Sequence, residues 1–312
     1  MNMIKKSDIV VVCGPTGIGK TSTAIGLSKA LGGRIISADS MQIYRYMNIG
    51  TAKPTAEEQE QVPHDMVDIV DPDEPYDAAR FSKQADIRIR SLWEQGLVPV
   101  VAGGTGLYIK ALVSGLFRAH PADKAIIARL EKECFENGSP ALHGQLAALD
   151  PHAAGRIHPN DAFRIIRALE IFETTGRPIS ECHEAHGFSD QPYRVLKLGL
   201  CMDRELLYER INMRVDLMLE QGLLVEVESL LERGYSPLLK SMGSLGYRHM
   251  IQYIQGHVTF EEAVRTLKRD SRRYAKRQMT WFRADSEIEW FEPQRLDAMV
   301  DRARIFLGKP SS

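Results

Sequence analysis

The sequence predicts an α/β fold, with a parallel sheet flanked by helices and a helical insertion within it. Three observations carry that prediction. The β-branched apolar run Ile9 to Cys13 leads directly into the glycine-rich stretch GPTGIGKTS and then into a helix-spaced segment. The order strand, turn, helix recurs before residue 117. From Phe117 to Gln191 the pattern changes to helices without a buried strand.

Ile9 to Cys13 reads as a strand buried on both faces, the usual environment in a parallel sheet. Thr21 to Leu31 has helical spacing at Ala24, Leu27 and Leu31 and stops at Gly32-Gly33. RIISA, Arg34 to Ala38, is a second strand, followed by Asp39, and Met66 to Val70 is read as a third. Ala79 to Gln95 is a helix closed by Gly96, and Val98 to Ala102 is another buried strand that runs into GGTGLY. In the insertion, Ser139 reads as an N-cap with Pro140 at the first helical position. Asn160 or Asp161 caps RIIRALEIFETTG, which ends at Gly176. Strand character returns at Val195 to Cys201 and is followed by long helices. The domain expectation is a core of 1–116 with 193–312, and a helical insertion over 117–192.

The 312 residues are 44% hydrophobic and 26% charged, which suits a globular chain with a substantial core. The net charge of −1 makes any nucleic-acid-binding surface local rather than global. Four cysteines without a CxxC pair argue against a zinc site or disulfide framework and for a reducing compartment. The basic opening MNMIKK is followed by an apolar run too short for a signal peptide or a membrane span, so a cytoplasmic protein is expected. No repeat or coiled-coil seam appears, and a monomer is expected.

GPTGIGKT, Gly14 to Thr21, fits GxxxxGK[ST] and places the core among P-loop NTPase-like folds. Gly14, Pro15, Thr16, Gly17, Ile18 and Gly19 form a turn whose inward N–H groups make a nest for phosphate oxygens. Lys20 brings a point charge to the terminal phosphate, and the Thr21 hydroxyl is placed to ligate Mg²⁺. The loop specifies a diphosphate-containing ligand, not ATP hydrolysis. Hydrolysing enzymes of this type carry a second acidic residue after a buried strand. VPVVA ends in Gly103-Gly104-Thr105 without a carboxylate, which leaves Asp39. Because strand carboxyl ends line the ligand crevice of such sheets, Asp39 and Thr105 are both expected to face the loop. Asp39 suits two chemistries: serving Mg²⁺ or a hydroxyl proton in a kinase, or taking a proton from another nucleophile that attacks a carbon bearing pyrophosphate.

Arg265 to Arg283 reads RTLKRDSRRYAKRQMTWFR, with eight Lys/Arg against one Asp. On a helix, Arg265, Arg269, Arg272 and Lys276 make a basic stripe, and Tyr274 and Trp281 offer stacking surface, a composition that binds a nucleic-acid backbone. Arg164 and Arg167 share one face of NDAFRIIRALE. Arg210 and Arg214 stand one turn apart, either clamping phosphate oxygens or pairing with Glu209, Asp216 or Glu220.

Seven segments in order resemble the tRNA dimethylallyltransferase (tRNA isopentenyltransferase) family. They are GPTGIGKT, DSMQIYRYMNIGTAKP from Asp39, GGTGLY from Gly103, NDAFRIIRALE, RINMRVDLMLEQGLL, GSLGYR from Gly243, and KRQMTWFR from Lys276. The resemblance implies transfer of the dimethylallyl group of dimethylallyl diphosphate to the exocyclic amine of adenosine 37, beside the anticodon of certain tRNAs, with pyrophosphate leaving. The loop then holds the leaving group, although it gives family members an ATP-binding label. By the same resemblance Asp39 and Thr105 are catalytic, and Arg214 joins the loop in binding diphosphate. Ser40, Met41 and Gln42 line a channel for a flipped base beside Asp39. The insertion grips the anticodon stem-loop through Phe163, Arg164, Ile165, Ile166 and Arg167. Further tRNA contacts fall on Gly243, Ser244, Leu245, Gly246, Tyr247 and Arg248, and on Lys276, Arg277, Gln278, Met279, Thr280, Trp281, Phe282 and Arg283. Many members carry Ala-Ser or Gly-Ser at Gly17-Ile18, and Gln at Phe163, where Phe offers stacking alone. Two rivals fit less. A P-loop small-molecule kinase leaves the insertion and the basic helix unexplained, and an RNA-binding P-loop ATPase leaves Asp39 without a role.

Overall fold

The computed structural model describes residues 7–115, 123–186 and 192–310. The basic opening residues and the expected domain boundary at 116/117 lie outside them, while the expected boundary at 192/193 lies among them. The chain divides into two compact units, Met1–Val113 with Pro192–Ser312, and Ser114–Gln191.

The first unit is built on a six-stranded sheet: β1 (Ser7–Cys13), β2 (Gly33–Ser37), β3 (His64–Asp65), β4 (Val98–Gly103), β5 (Tyr193–Leu200) and β6 (Ile288–Phe291). The spatial order is β3-β2-β4-β1-β5-β6, and every pairing is parallel. The central strands are apolar on both faces because helices cover both, and Ile9, Val10, Val11, Val12, Val100 and Val101 are all fully buried. α1 (Lys20–Leu31), α10 (Arg204–Glu220) and α14 (Leu296–Leu307) share one core with the sheet, through Leu27, Ile211, Met299 and Ala303 against Val10, Val12, Val100 and Leu198. The register aligns Cys13 with Gly103 and Ser37 with Ala102, so the loops after β1, β2 and β4 emerge side by side at the carboxyl edge. At Gly103 the ends of β4 and β2 nearly touch: a Cβ there would stand 2.1 Å from the Ala38 carbonyl oxygen.

The expected third strand is corrected. Met66 and Asp68 have φ of 66° and 54°, which no strand accommodates, so pairing stops at Asp65 and Val70 makes only an isolated bridge with Tyr44. The short helix α2 (Ala56–Gln61) has no buried residue and is held by a capping box between Thr55 and Glu58. α3 (Ala78–Glu94), α4 (Gly106–Ser114), α11 (Leu223–Glu232), α12 (Tyr247–Ile254) and α13 (Phe260–Arg283) complete this unit.

The second unit consists of α5 (Lys124–Asn137), α6 (Ser139–Leu149), α7 (Pro151–Ala154), α8 (Ala162–Thr175) and α9 (Ile179–His186) around Leu130, Leu142, Leu146, Ile165 and Leu169. Asp161 caps α8 by accepting from the Arg164 N–H, and Gly176 ends it in the left-handed conformation. The cap of α6 is corrected: Gly138 is the N-cap, and Ser139 is already helical. No described helix is long and apolar enough to cross a membrane.

Candidate active site

The turn after β1 follows from its glycines. Gly17 has φ 80° and lies so close to α10 that a Cβ would stand 2.9 Å from the Ile211 side chain. Ile18, by contrast, is fully buried in the core of the sheet and fastens the loop from beneath. A serine there would forfeit that anchor; the backbone nest is indifferent to it. Lys20 opens α1 and donates from Nζ to the Pro15 carbonyl at 2.9 Å. Burial pushes the Lys20 ammonium down to about 8, with Asp39 opposing the shift and Arg214 adding to it. Burial also lowers the Arg214 guanidinium, again against Asp39. Arg214 makes no ion pair with Glu209, Asp216 or Glu220 among the described residues, and Asp216 is bound by Lys268 at 2.6 Å. With Arg210 on the preceding turn, three cations line this end of the cavity.

Asp39 lines the same cavity, two residues beyond β2. Its Oδ1 accepts from the Met41 N–H at 2.8 Å and the Gln42 N–H at 3.4 Å. Its Oδ2 accepts no hydrogen bond among the described residues. Thr105 does not line the cavity; it supports the wall from behind. Its Oγ1 accepts from the Ser40 N–H at 3.0 Å and sits 3.3 Å from the Ser40 hydroxyl, and its own N–H donates to Ala38. Thr105 therefore fixes the turn that carries Asp39. Ser40, Met41 and Gln42 line the cavity as expected, and Gln42 is further held by donating to the Ala52 carbonyl at 3.1 Å. The cavity, about 690 Å³, runs from Thr16, Lys20 and Thr21 past Asp39 to Gly50, Ala52 and Pro54, with Ser244, Leu245 and Gly246 also in its wall.

Five of the expected tRNA contacts sit in the interior. Ile165 and Ile166 belong to the core of their own unit, and Tyr247 and Phe282 are buried too. Gln278 is 7% exposed, and both ends of its amide are used internally. Oε1 accepts from the Thr16 N–H at 2.8 Å, and Nε2 donates to the Gly104 carbonyl at 2.9 Å. It braces the phosphate loop against the loop after β4 instead of offering a surface to RNA. In the free protein these five side chains act as supports of the fold, and Gln278 also lines the cavity.

The basic helix α13 divides in two. Arg265 is paired with Glu262, Arg272 donates to the Asn212 side chain at 2.6 Å, and Asp270 collects Arg269 and Arg248 at 2.9 and 2.8 Å. Those hydrogen bonds hold the Asp270 carboxyl far below the carboxylate range despite its burial. Lys276 and Arg283, on the last turns, are exposed and make no ion pair among the described residues, as is Arg277, which lies over the Tyr274 ring. Trp281 packs where a Cβ on Gly106 would be, leaving 42% of its surface open. Thr280 is exposed, Met279 half-buried and Gly243 exposed. In the second unit Phe163 is 83% exposed at the start of α8, with Arg164 paired to Asp161 and Arg167 to the buried Glu170.

A parallel α/β sheet, a GxxxxGK[ST] loop and a cavity with three cations at one end and Asp39 and Glu58 in its wall define a P-loop-type protein with a site suited to an anion. Comparison with known proteins makes this specific. Residues 42–285 match the IPP transferase family and residues 7–66 the isopentenyl transferase family. The chain is 56% identical over 284 residues to a tRNA dimethylallyltransferase of Desulfosudis oleivorans, covering 91% of this chain and 90% of that protein. A crystal structure of the tRNA isopentenylpyrophosphate transferase of Bacillus halodurans superposes with a TM-score of 0.73 at 42% identity, over 97% of each chain. A eukaryotic dimethylallyltransferase, captured acting on tRNA, gives a TM-score of 0.80 at 27% identity, over 98% of this chain and 81% of that one. The chain belongs to the IPP transferase family and is a prenyl transferase with a P-loop NTPase-like fold.

Proposed function

We propose that the protein transfers the dimethylallyl group of dimethylallyl diphosphate to the exocyclic amine of adenosine 37 in the anticodon stem-loop of tRNA, releasing pyrophosphate. The observation that carries this reading is the cation-rich cradle sharing one cavity with Asp39, whose Oδ2 is uncommitted. In the reaction the allylic carbon–oxygen bond breaks and a carbon–nitrogen bond forms. Negative charge grows on the departing diphosphate, where the loop N–H groups, Lys20 and Arg214 stabilise it. The adenine amine is a weak nucleophile because its lone pair is delocalised into the ring. Asp39 orients it and accepts its proton, a contribution of about a hundred- to ten-thousandfold. The base leaves its stack to reach Asp39 past Ser40, Met41 and Gln42.

Mg²⁺ belongs to this reading. The Thr21 hydroxyl lines the cavity and has no hydrogen bond among the described residues. No group of three His, Cys, Asp or Glu among them is placed to hold a metal. One hydroxyl ligand, completed by substrate phosphate oxygens and water, suits Mg²⁺, which is rarely caged by protein alone. When bound, it would supply further neutralisation of the leaving diphosphate.

The helical unit 114–191 is assigned the anticodon stem-loop, with Phe163, Arg164 and Arg167 as its contacts. Gly243, Ser244, Leu245, Gly246 and Arg248, with Lys276, Arg277, Met279, Thr280, Trp281 and Arg283, complete the tRNA surface. The reading places the enzyme in the cytoplasm, working as a monomer. The test is incubation with unmodified tRNA, Mg²⁺ and dimethylallyl diphosphate labelled in its five-carbon group. Label on adenosine 37 is expected. ATP-dependent phosphorylation of a small molecule, or RNA binding without transfer, would overturn the reading.

A further inference from the structure

Glu226, in the first turn of α11, is used in an unusual way. Its Oε2 accepts from the backbone N–H groups of Asn48 and Ile49 at 2.9 and 2.8 Å. Its Oε1 accepts from the Gly50 N–H at 3.1 Å and from the Tyr247 hydroxyl at 2.6 Å. One carboxylate thus gathers three consecutive amides of a loop some 176 residues away in sequence, together with a phenol from α12. The site tolerates little play. Tyr247 is fully buried, and its ring lies where a Cβ on Gly50 would stand 2.4 Å away.

What is joined here is the cavity wall. Gly50, Thr51, Ala52 and Pro54 form one side, and Ser244, Leu245 and Gly246, just before Tyr247, form another. The first side is tied in turn to the proton acceptor. Gln42 donates to the Ala52 carbonyl at 3.1 Å, and its N–H donates to Asp39 Oδ1 at 3.4 Å. Hydrogen bonds therefore run from Asp39 through Gln42 and the Gly50 loop to Glu226 and Tyr247. None of the bonds made by Glu226 reaches the phosphate loop.

We propose that Glu226, with Tyr247, is a positioning residue that fixes the spacing of the two walls receiving the acceptor base and, through Gln42, the aim of Asp39. The naming of the acceptor rests on the tRNA prenylation reading; the lock itself does not. In Glu226→Gln one oxygen remains where two accepted, the charge is gone, and an NH2 donor faces loop amides or the phenol that had an acceptor; hydrogen bonds to a charged group are strong enough for this to change loop opening by about tenfold or more. The effect falls on the acceptor because the cradle is built from separate elements.

Two measurements on Glu226→Gln and Tyr247→Phe test this. In hydrogen exchange of the free protein, the amides of Asn48, Ile49 and Gly50 should exchange about tenfold faster in Glu226→Gln, while those of Gly17 to Thr21 keep their rates. Tyr247→Phe, which keeps the ring against Gly50, should show a smaller change in the same direction. In steady-state transfer, kcat/KM for tRNA should fall about tenfold while KM for dimethylallyl diphosphate stays within about twofold. Unchanged exchange at residues 48–50 would overturn the lock even if the unaltered enzyme prenylates tRNA. So would a KM for the diphosphate that rises in step with that for tRNA. Faster exchange in the variant, with no transfer by the unaltered protein, would uphold the lock and sink the reaction assigned to it.

Discussion

The two ends of the cavity are made in different ways. The loop of the cradle end comes from one stretch of chain, Gly14 to Thr21, shaped by its own glycines and by the helix it opens, and Arg210 and Arg214 of α10 and the Gln278 brace are added to it. The far end is assembled from the turn after β2, the Gly50 loop, the Ser244–Gly246 segment and Glu226 of α11, none of which has a fixed shape alone. The first is a local device that binds anions in many folds. The second is a tertiary construction, and the proposed reaction places its acceptor there. The contrast implies that binding of the diphosphate and placement of the acceptor can be damaged separately.

Lys20→Ala breaks the cradle alone. Transfer should fall by about a hundredfold or more, the scale of losing one stabiliser of developing charge. Tight tRNA binding should survive; if it disappears in parallel, the two ends are not independent. Gln278→Ala removes the brace between the Thr16 amide and the Gly104 carbonyl, and displacement of the loop should cost roughly ten- to a hundredfold in kcat/KM for the diphosphate. A loss confined to tRNA affinity would return Gln278 to the RNA surface.

The pH dependence sharpens the same distinction. Lys20 titrates at about 8 in the free protein and is charged below that value. Pyrophosphate affinity should be level below pH 8 and fall by about tenfold per unit above it, as the cation needed by the anion is lost. In Lys20→Ala that fall should vanish. The smallest effect is expected outside the cavity. Lys276→Ala with Arg277→Ala should weaken tRNA binding and reduce the log–log salt slope by about 1.5 to 2, leaving diphosphate binding untouched. An unchanged slope would make the end of α13 a solvated face.

This difference also explains what could be read from the sequence. The strands β1, β2, β4 and β5, the phosphate loop and Asp39 were legible because each is announced by neighbours in the chain: β-branched runs, glycines at fixed spacing, a carboxylate after a strand. Gln278 was not, since its partner Thr16 lies 262 residues away and nothing local distinguishes a brace from a surface glutamine. Glu226 was missed for the same reason. The basic stretch looked uniform, but part of it is engaged by Glu262, Asp270 and Asn212, and two of those three are supplied by or shared with other helices. The strand expected at Met66 to Val70 failed because Asp68 takes a left-handed conformation, held by Lys53 at 2.5 Å, which an alternating apolar pattern cannot reveal. Thr105 was found as a residue, but its place behind Ser40 needed the fold.

In the proposed reaction the carboxylate at the tip of β2 removes the proton from the incoming amine while the cradle holds the departing diphosphate. Asp39→Asn tests it most directly, because an amide oxygen can still accept from the Met41 and Gln42 N–H groups and preserve the turn. Single-turnover transfer should be measured with tRNA and dimethylallyl diphosphate both saturating. A rate lower by about a hundred- to ten-thousandfold is expected, with both substrates still bound at their normal affinities. Transfer at the unaltered rate would show that the amine loses its proton elsewhere and would contradict the account.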